Sequence, residues 1–207
     1  MNLPSKKLER NLITKGCTYV IGIDEVGMGP IAGPVTVCAM AIHRDFYKKP
    51  NRLLRRLRDS KQLRPHQREK YCAELIKNKH IKYALYSCSV PIIDKLDIFQ
   101  ASRHAMKKAL RKLGIKKKCF VLVDGSKEIE KIGIPQRAII KGDEKIFVIA
   151  CASIIAKVHR DKLMSQYAEK FPGYGFEHHM GYPTKLHKQK IQDMGPCILH
   201  RKRFRLQ

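Results

Sequence analysis

The sequence predicts an α/β fold, a β-sheet packed against helices, within a single domain. Two β-rich runs, residues 18–26 and 34–42, come first, and after residue 64 helical patterns alternate with further short β-rich runs. The length of 207 residues is enough for one substantial hydrophobic core and short for two. We therefore expect one α/β layer structure with one catalytic or binding unit.

The first two strands are predicted from the stretch IGIDEVGMGPIAGPV, residues 21–35. An apolar run leads to two adjacent acids, Asp24 and Glu25, and three glycines and two prolines follow before the next β-rich run begins. Glycine and proline are the strongest punctuation between strands, so the simplest interpretation is a hairpin.

The middle of the chain predicts two helices with a strand between them. Residues 64–79 open with an early proline, which suits the first turn of a helix, and residues 82–90 resemble a strand. Residues 99–113 bring alanine and leucine to one side at steps of three and four, with Lys and Arg opposite, and end at Gly114. This pattern is typical of an amphipathic helix with a basic outer face.

The last third predicts one buried strand, one long helix and a short appended segment. Residues 118–124 (KCFVLVD) form a short run of the sort buried inside a sheet, and Asp143 can N-cap a helix from residue 144 to about residue 170. After residue 171 the composition turns to Gly, His, Tyr and Lys. We therefore divide the chain into residues 1–171 and a C-terminal extension, residues 172–207.

The charge balance points to a polyanionic partner. Lys and Arg total 43 against 18 Asp and Glu, a formal net charge of +25. Nucleic acid is the first candidate. Excess lysine that only keeps the surface soluble is the alternative, but +25 is well above the roughly 2 to 8 units that solubility requires.

The cysteines and the apolar segments bear on the compartment. The seven cysteines are odd in number, form no CxxC pair and mostly lie within apolar stretches, which suits buried free thiols in a reducing compartment. The first twenty residues contain no signal-peptide core, and no run reaches the roughly 18 apolar residues of a membrane span. We expect a cytoplasmic protein without a membrane partner.

Four acids stand out by position: Asp24 and Glu25 at the end of the first strand, Asp124 before Gly125, and Asp143 at a helix start. Bare carboxylates repel phosphate, so a nucleic-acid-binding protein that gathers them has a reason if they hold a hard divalent cation such as Mg²⁺. Each acid also has an ordinary structural interpretation, as a turn residue or a helix cap.

Asp161 is a fifth acid that we leave out of this group. Lys157 lies four residues before it and Arg160 lies beside it, an arrangement that suits a salt-bridged helix face.

The order of motifs resembles bacterial ribonuclease HII, the type 2 ribonuclease H, over nearly the whole chain. The segments that carry the resemblance are GIDEVGMGPIAGPV (22–35), DSKQL (59–63), VLVDGSK (121–127), AIIKGD (138–143), ASIIAKVHRD (152–161), FPGYGFEHHMGYPTKLH (171–187) and LHRKRF (199–204). The resemblance implies a ribonuclease H-like fold, a mixed β-sheet flanked by helices with a short C-terminal helical extension that binds substrate.

The resemblance also implies an activity. The expected enzyme is a monomer that cuts the RNA strand of RNA/DNA hybrids and the 5′ side of ribonucleotides embedded in duplex DNA. Its products would carry 3′-hydroxyl and 5′-phosphate ends. Asp24, Glu25, Asp124 and Asp143 match the family's four acidic positions, with Mg²⁺ or Mn²⁺ as cofactor.

The same resemblance implies the residues that contact nucleic acid. Gly27, Met28 and Gly29 match a loop whose backbone N–H groups approach the phosphate and the ribose 2′-hydroxyl, and Tyr182 matches a tyrosine that packs on the deoxyribose at the RNA–DNA junction. Further positions near the substrate are Ser60, Lys61, Lys141, Ser153 and Lys157. The family usually has Arg and Lys where this chain has Met28 and Met180, so two cations near phosphate are missing.

Other interpretations compete with this one. A nuclease of the same fold that acts on DNA would use the same acids, and a non-catalytic RNA-binding protein would explain the basic charge alone. Four acids at the ends of strands and helices disfavour the second, because a pure phosphate binder gains nothing from them. A zinc site at His178, His179 and His187 lacks a Cys or His set at ligand spacing.

Overall fold

The computed structural model describes residues 3–48, 57, 60 and 63–204, and its centre is a five-stranded mixed sheet. The strands are β1 (Tyr19–Val26), β2 (Val35–His43), β3 (Ile81–Cys88), β4 (Cys119–Asp124) and β5 (Gln136–Ile139), in the order β3-β2-β1-β4-β5. The strands β1, β2 and β3 pair antiparallel, whereas β4 pairs parallel to β1 and β5 pairs parallel to β4. The predicted hairpin and the mixed sheet are confirmed.

Helices cover both faces of the sheet. They are α1 (Lys7–Thr14), α2 (Pro65–Lys77), α3 (Val90–Leu96), α4 (Ile98–Leu113), α5 (Gly142–Lys145), α6 (Phe147–Lys170), α7 (Phe176–His179) and α8 (Lys185–Met194), with a short 3₁₀ helix at Arg44–Lys48. None of the helices in the described parts of the chain is both long and apolar enough to cross a membrane.

The sheet separates two apolar clusters because neighbouring side chains on a strand point to opposite faces. On one face Val20, Met40 and Ile42 pack against α6, and on the other Ile21 and Val37 are among the residues that pack against α4. The long helix approaches β1 closely at Gly22, where an added Cβ would lie 2.5 Å from the Val148 carbonyl oxygen. Only glycine fits there, and this contact fixes α6 across the strand that carries the first acids.

The expectation that Asp143 N-caps one long helix is wrong. Asp143 lies inside the short helix α5, whose N-cap is Lys141 at φ 56°, and the extended residue Ile146 separates α5 from α6. The N-terminal segment causes this break: the Ser5 N–H donates to the Lys145 carbonyl (2.8 Å), and the Phe147 N–H donates to the Ser5 carbonyl (3.2 Å).

The C-terminal segment packs on the end of α6. Tyr174, Phe176 and Leu199 form a third apolar cluster with Ala32 and Met164. The helices α7 and α8 agree with the expected helical character of residues 172–207, and this cluster joins the segment to the loop that follows β1. The division of the chain at residue 171 stays an interpretation.

Candidate active site

Asp24 and Asp124 leave neighbouring parallel strands at the same edge of the sheet. The pairing of β1 with β4 ends where Ile23 is aligned with Val123, so the next residue on each strand is an acid. Asp24 is 4% exposed. The edge therefore brings two carboxylates from residues 100 positions apart to one place.

Glu25 follows Asp24 on β1, and its charge acts on the Asp24 carboxyl. The strand continues to Val26 in its pairing with β2, while its pairing with β4 stops at Ile23. The Asp24 carboxylate turns along the strand and accepts the Glu25 N–H at 2.8 Å. Since β1 is unpaired toward β4 from residue 24 onward, the edge opens where the acids begin.

Asp143 is brought to Asp124 by the turn between β5 and α5. The Gly142 N–H donates to Asp124 Oδ1 at 2.6 Å. An added Cβ at residue 142 would lie 3.1 Å from the same oxygen and 2.6 Å from Ile149 Cδ1, so glycine is required for this approach. Asp143, only 4% exposed, accepts the Glu144 N–H at 3.0 Å.

The four acids interact electrostatically. Burial raises the pKa of Asp24 well above its usual range, and the charges of Glu25, Asp124 and Asp143 raise it further. Burial raises the pKa of Asp124 as well, followed by the charge of Asp143. Such mutual repulsion is relieved by a cation, and an all-oxygen donor set suits a hard divalent metal ion. The residues therefore fit Mg²⁺ or Mn²⁺.

Two serines connect the acids to the chain before α2. The Ser153 hydroxyl on α6 is hydrogen-bonded to Asp24 and lies 2.9 Å from the Ser60 hydroxyl, and both serines are buried. The hydrogen bond to Asp24 opposes the rise of that pKa. Lys61 lies outside the described residues.

The Gly27–Gly29 loop is held from behind by Arg201, a residue that the sequence reasoning missed. The fully buried guanidinium donates to the carbonyl oxygens of Gly27 (2.7 Å), Met28 (3.3 Å) and Gly33 (2.9 Å). In a trans peptide the N–H points opposite to the preceding C=O. Because Arg201 binds the carbonyls of residues 27 and 28, the N–H groups of Met28 and Gly29 are turned away from it.

Arg160 also binds backbone carbonyls, including two in the segment that follows the Gly27–Gly29 loop. It donates to the carbonyl oxygens of Pro34 (2.9 Å), Met180 (2.9 Å) and Ala32 (3.2 Å), and it is fully buried. The predicted salt-bridged helix face at Asp161 is confirmed for Lys157 and is wrong for Arg160. Arg160 lies in the quoted motif ASIIAKVHRD and Arg201 in the quoted motif LHRKRF. Each follows a histidine, and nothing else in the neighbouring sequence indicates its role. Their carbonyl partners lie far away in sequence.

Tyr182 stands beside the same loop. Its ring atom Cε1 lies 3.7 Å from the position that a Cβ of Gly29 would occupy, and the side chain is 41% exposed. The preceding Gly181 accepts the Ile31 N–H at 2.9 Å and lies so close to the Ala32 carbonyl that an added Cβ would be 2.4 Å from its oxygen. The GYPT segment is therefore docked directly on the glycine loop.

Two of the lysines predicted to contact nucleic acid are each paired with an acid. Lys157 Nζ pairs with Asp161 Oδ1 at 2.8 Å, and Arg68 reaches the other oxygen of that carboxylate at 3.7 Å. Lys141, with a side chain 67% exposed, pairs with Glu144 at 3.6 Å. An open cavity of about 710 Å³ lies between α2, α6 and α7, lined by Arg68, Lys157, Lys162 and Tyr182 among others. The same cavity is also lined by Glu69, Asp161 and Glu177, so three acids balance the three cations.

Met28 and Met180 both contact apolar surroundings. Met28, half-buried, packs against the apolar cluster between the sheet and α4, and Met180 packs beside Met164 in the C-terminal cluster. Met180 also has a left-handed backbone, φ 50°, at the end of α7. At both positions the methionine side chain contributes to packing.

Comparison with known proteins agrees with this geometry. The family model for ribonuclease HII matches residues 21–207. A ribonuclease HII of Caldicellulosiruptor saccharolyticus is 42% identical over 96% of this chain and 92% of its own length. One from Bacillus cereus is 44% identical over 98% of this chain and 75% of its own length.

Solved structures share the fold. The ribonuclease H2 of Pyrococcus horikoshii superposes with a TM-score of 0.75 at 27% identity, over 91% of this chain and 94% of that one. A chain of the PCNA:RNase HII complex from Archaeoglobus fulgidus gives a TM-score of 0.73 at 26% identity, over 91% and 96%. The chain therefore belongs to the ribonuclease HII family, the endonucleases that cleave the RNA strand of RNA/DNA hybrids.

Proposed function

We propose that Asp24, Glu25, Asp124 and Asp143 hold the divalent metal ion on which this family depends, either Mg²⁺ or Mn²⁺. The observation that carries the proposal is the gathering of four carboxylates whose burial and mutual repulsion raise the pKa of Asp24 and Asp124. A divalent cation bound there would stabilise the charge on the attacking and leaving oxygens of an in-line displacement at phosphorus.

The chain's own residues position the strand to be cut. The N–H groups of Met28 and Gly29, turned outward by Arg201, are placed to meet a phosphate or a ribose 2′-hydroxyl. Recognition of the 2′-hydroxyl is what distinguishes RNA from DNA at a given nucleotide. The ring of Tyr182, next to Gly29, is placed to pack on an adjacent sugar, and a sugar without the hydroxyl leaves more room for it.

These two proposed contacts favour a more specific substrate than a continuous RNA/DNA hybrid. A loop that selects a ribose beside a ring that selects a deoxyribose recognises an RNA–DNA junction without reading base sequence. We therefore propose cutting on the 5′ side of a ribonucleotide embedded in duplex DNA, with 3′-hydroxyl and 5′-phosphate products. This activity would serve ribonucleotide removal during DNA replication and repair.

The remaining predicted contacts fit the phosphate backbone. Lys141 and Lys157 flank the acids, Lys61 follows Ser60 in the chain, and Ser60 and Ser153 join the acidic centre to this side. Within the proposal these residues, together with the extension from residue 172, bind backbone phosphates without sequence preference. We further propose that the enzyme acts in the cytoplasm as a monomer, since one chain contains every element of the site.

The experiment that tests the metal proposal is cleavage of a labelled RNA/DNA hybrid after removal of metal. We expect no cleavage in excess chelator and recovery when Mg²⁺ or Mn²⁺ is added back, with an all-DNA duplex intact throughout. Cleavage that persists in chelator would show that the acids serve another purpose.

A further inference from the structure

Three potential metal ligands meet at the end of the sheet remote from the acids. They are His43 at the end of β2, Asp45 in the 3₁₀ helix and His80 just before β3, and one ligand atom of each lies within 4.8 Å of the others. The His43 N–H donates to the His80 carbonyl at 2.9 Å, which continues the antiparallel ladder by one step. The backbone therefore fixes the two histidines as cross-strand neighbours.

The hydrogen bonds around His43 leave room for a cation between two acceptors. The Asp45 N–H donates to His43 Nδ1 at 3.3 Å, so this nitrogen acts as an acceptor, and a metal ion bound to it would replace this long hydrogen bond. Yet the same nitrogen lies 3.1 Å from Asp45 Oδ2, which is also an acceptor. Two lone pairs at that distance repel each other unless a proton or a metal ion lies between them. Ligand atoms around a tetrahedral ion with bonds of about 2.0–2.1 Å are separated by about 3.3 Å, close to this spacing.

We propose that His43, Asp45 and His80 form a second metal site, for a borderline transition-metal ion such as Zn²⁺. Two imidazoles with one carboxylate favour Zn²⁺, Co²⁺, Ni²⁺ or Cu²⁺ over Mg²⁺, which prefers oxygen ligands. His43 is aligned with Tyr19 and Asp24 with Cys38, so the two sites lie five residues apart along β1, about 17 Å. The sites differ in both place and chemistry.

The surroundings suit three protein ligands and one water molecule. The side chains of His43 and Asp45 are 24% and 37% exposed, so a fourth position faces solvent. Lys48 holds Asp45 Oδ1 at 2.6 Å and leaves Oδ2 toward His43, and the edge of the Tyr19 ring packs on His43 with centroids 5.0 Å apart. Lys48 and Arg44 are cationic neighbours that weaken the attraction for a metal ion, so the site depends on direct ligation.

A bound ion would join two separate segments of the chain. It would connect the end of β2 and the 3₁₀ helix to the turn between α2 and β3, and because it binds only the folded form it would stabilise the fold. The cleavage reaction would not require it, since the acidic centre is at the other end of the sheet.

Calorimetric titration of the full-length protein with Zn²⁺, in excess Mg²⁺ to occupy the acidic centre, tests the proposal. We expect one equivalent of Zn²⁺ to bind wild type, His66→Ala and Asp124→Asn alike, because His66 is an exposed histidine on α2 and Asp124 belongs to the acidic centre. His80→Ala and Asp45→Asn should each weaken binding by about tenfold or more. Loss of binding in His80→Ala could result from misfolding. Asp45→Asn leaves the strand ladder intact, so loss of binding in that variant would reflect loss of the ligand.

A second readout identifies the ligands. Co²⁺ at this site should give the intense visible absorption of four-coordinate cobalt, and Zn²⁺ should raise the Tm of wild type and not that of His80→Ala. Zn²⁺ binding that is unchanged in His80→Ala and Asp45→Asn, or that disappears in Asp124→Asn or His66→Ala, would overturn the proposal and indicate adventitious binding elsewhere.

Discussion

At the scale of single residues, the comparison of Asp124 with Asp161 best distinguishes a proposed metal ligand from an acid that serves only the fold. Asp124 adjoins Asp143 through the Gly142 N–H, whereas Asp161 is held by Lys157 and Arg68. The pKa of Asp124 is raised, so its charged form needs a cation nearby. Asp161 already has cationic partners.

Asp124→Asn should therefore lower kcat by about 10²-fold or more, because a metal ligand is lost. Binding of a hybrid should stay similar or become slightly tighter, since one negative charge near phosphate disappears. Asp161→Asn should cost less than about tenfold, in line with a partly exposed ion pair. Steady-state kinetics and binding on one hybrid measure both variants, and equal losses would undermine the choice of Asp143 over Asp161 as the fourth acid.

Met28 lies in the loop that we propose to bind substrate, and its side chain serves the fold. Its carbonyl is bound by Arg201 and its side chain packs on the apolar cluster beneath, so the contact left for substrate is its backbone N–H, which any residue except proline supplies. The family's arginine could add a phosphate contact here only by leaving that packing.

Met28→Arg should lower the free energy of unfolding by about 1–3 kcal/mol, because a long charged side chain replaces one that packs. The cleavage position should not move. Urea unfolding measures the stability, and binding to a junction duplex across a salt series measures the charge effect. Unchanged stability with a salt dependence steeper by about one phosphate would instead show that residue 28 faces the backbone.

At the scale of elements, sequence patterns predicted the strands and helices that carry strong periodicity. The helix at Ile98–Leu113 ends at Gly114 with φ 76°, as its left-handed C-cap requires. The strand β5 was missed because QRAI has no alternation or β-branched run, and it forms only by pairing with β4. The helix α1 was also missed. Its main contribution to the fold is a contact with residue 148.

That contact is made by Glu9, which is fully buried and accepts the Val148 N–H at the start of α6. Burial raises its pKa from 4.5 to about 8, more than the hydrogen bond and the charges of Lys6 and Arg10 lower it. The folded state therefore holds a proton that the unfolded state releases near its ordinary pKa. The stabilisation from this proton is complete below about pH 4.5 and is lost as the pH rises toward 8.

Glu9→Gln should remove this part of the pH dependence, since an amide keeps the acceptor for Val148 and cannot ionise. The difference in free energy of unfolding between variant and wild type should shift in favour of the variant as the pH is raised from 5 to 8. Denaturant unfolding at several pH values measures it, with the exposed Glu130→Gln as control. A difference that does not vary with pH would contradict the buried, protonated glutamate.

Within the proposed function, the C-terminal extension contributes Tyr182 to recognition of the junction. Tyr182→Ala should reduce cleavage at a single embedded ribonucleotide by about tenfold and reduce cleavage of a continuous hybrid less, because only the junction offers the deoxyribose. Tyr83→Ala, on the edge strand β3 and similarly exposed, should affect neither substrate. An equal loss on both substrates would mean that Tyr182 supports the fold of the loop and does not select the sugar.

At the scale of the whole molecule, a basic chain surrounds one acidic edge. The sequence predicted this arrangement because charges and strand-terminal acids can be read from residue types and short patterns. It did not predict the buried guanidiniums of Arg160 and Arg201, whose partners are carbonyl groups from residues more than 100 positions away or from a turn at residue 180. Backbone acceptors leave no mark in a sequence, so these arginines could only be found in the folded chain.

The competing whole-molecule interpretations fail on particular residues. A non-catalytic RNA-binding protein would have no use for four mutually repelling acids, and membership of the ribonuclease HII family excludes it. The zinc interpretation of the C-terminal histidines lacks support because both ring nitrogens of His179 and His187 are already engaged. Nε2 of His179 and Nδ1 of His187 are hydrogen-bonded to the carbonyls of Tyr174 and Tyr182. Nδ1 of His179 accepts the Gly181 N–H, and Nε2 of His187 lies 3.1 Å from Nε2 of His200. His179 is buried.

The central claim is that the glycine loop, Tyr182 and the four acids together cut beside a single ribose in DNA. Mapping the products of a DNA duplex that contains one ribonucleotide, in Mg²⁺ or Mn²⁺, tests it most directly. We expect one cut on the 5′ side of the ribonucleotide, with a 3′-hydroxyl and a 5′-phosphate, and no cut in the matched all-DNA duplex. Cutting on the 3′ side, or equal cutting of the all-DNA duplex, would contradict it.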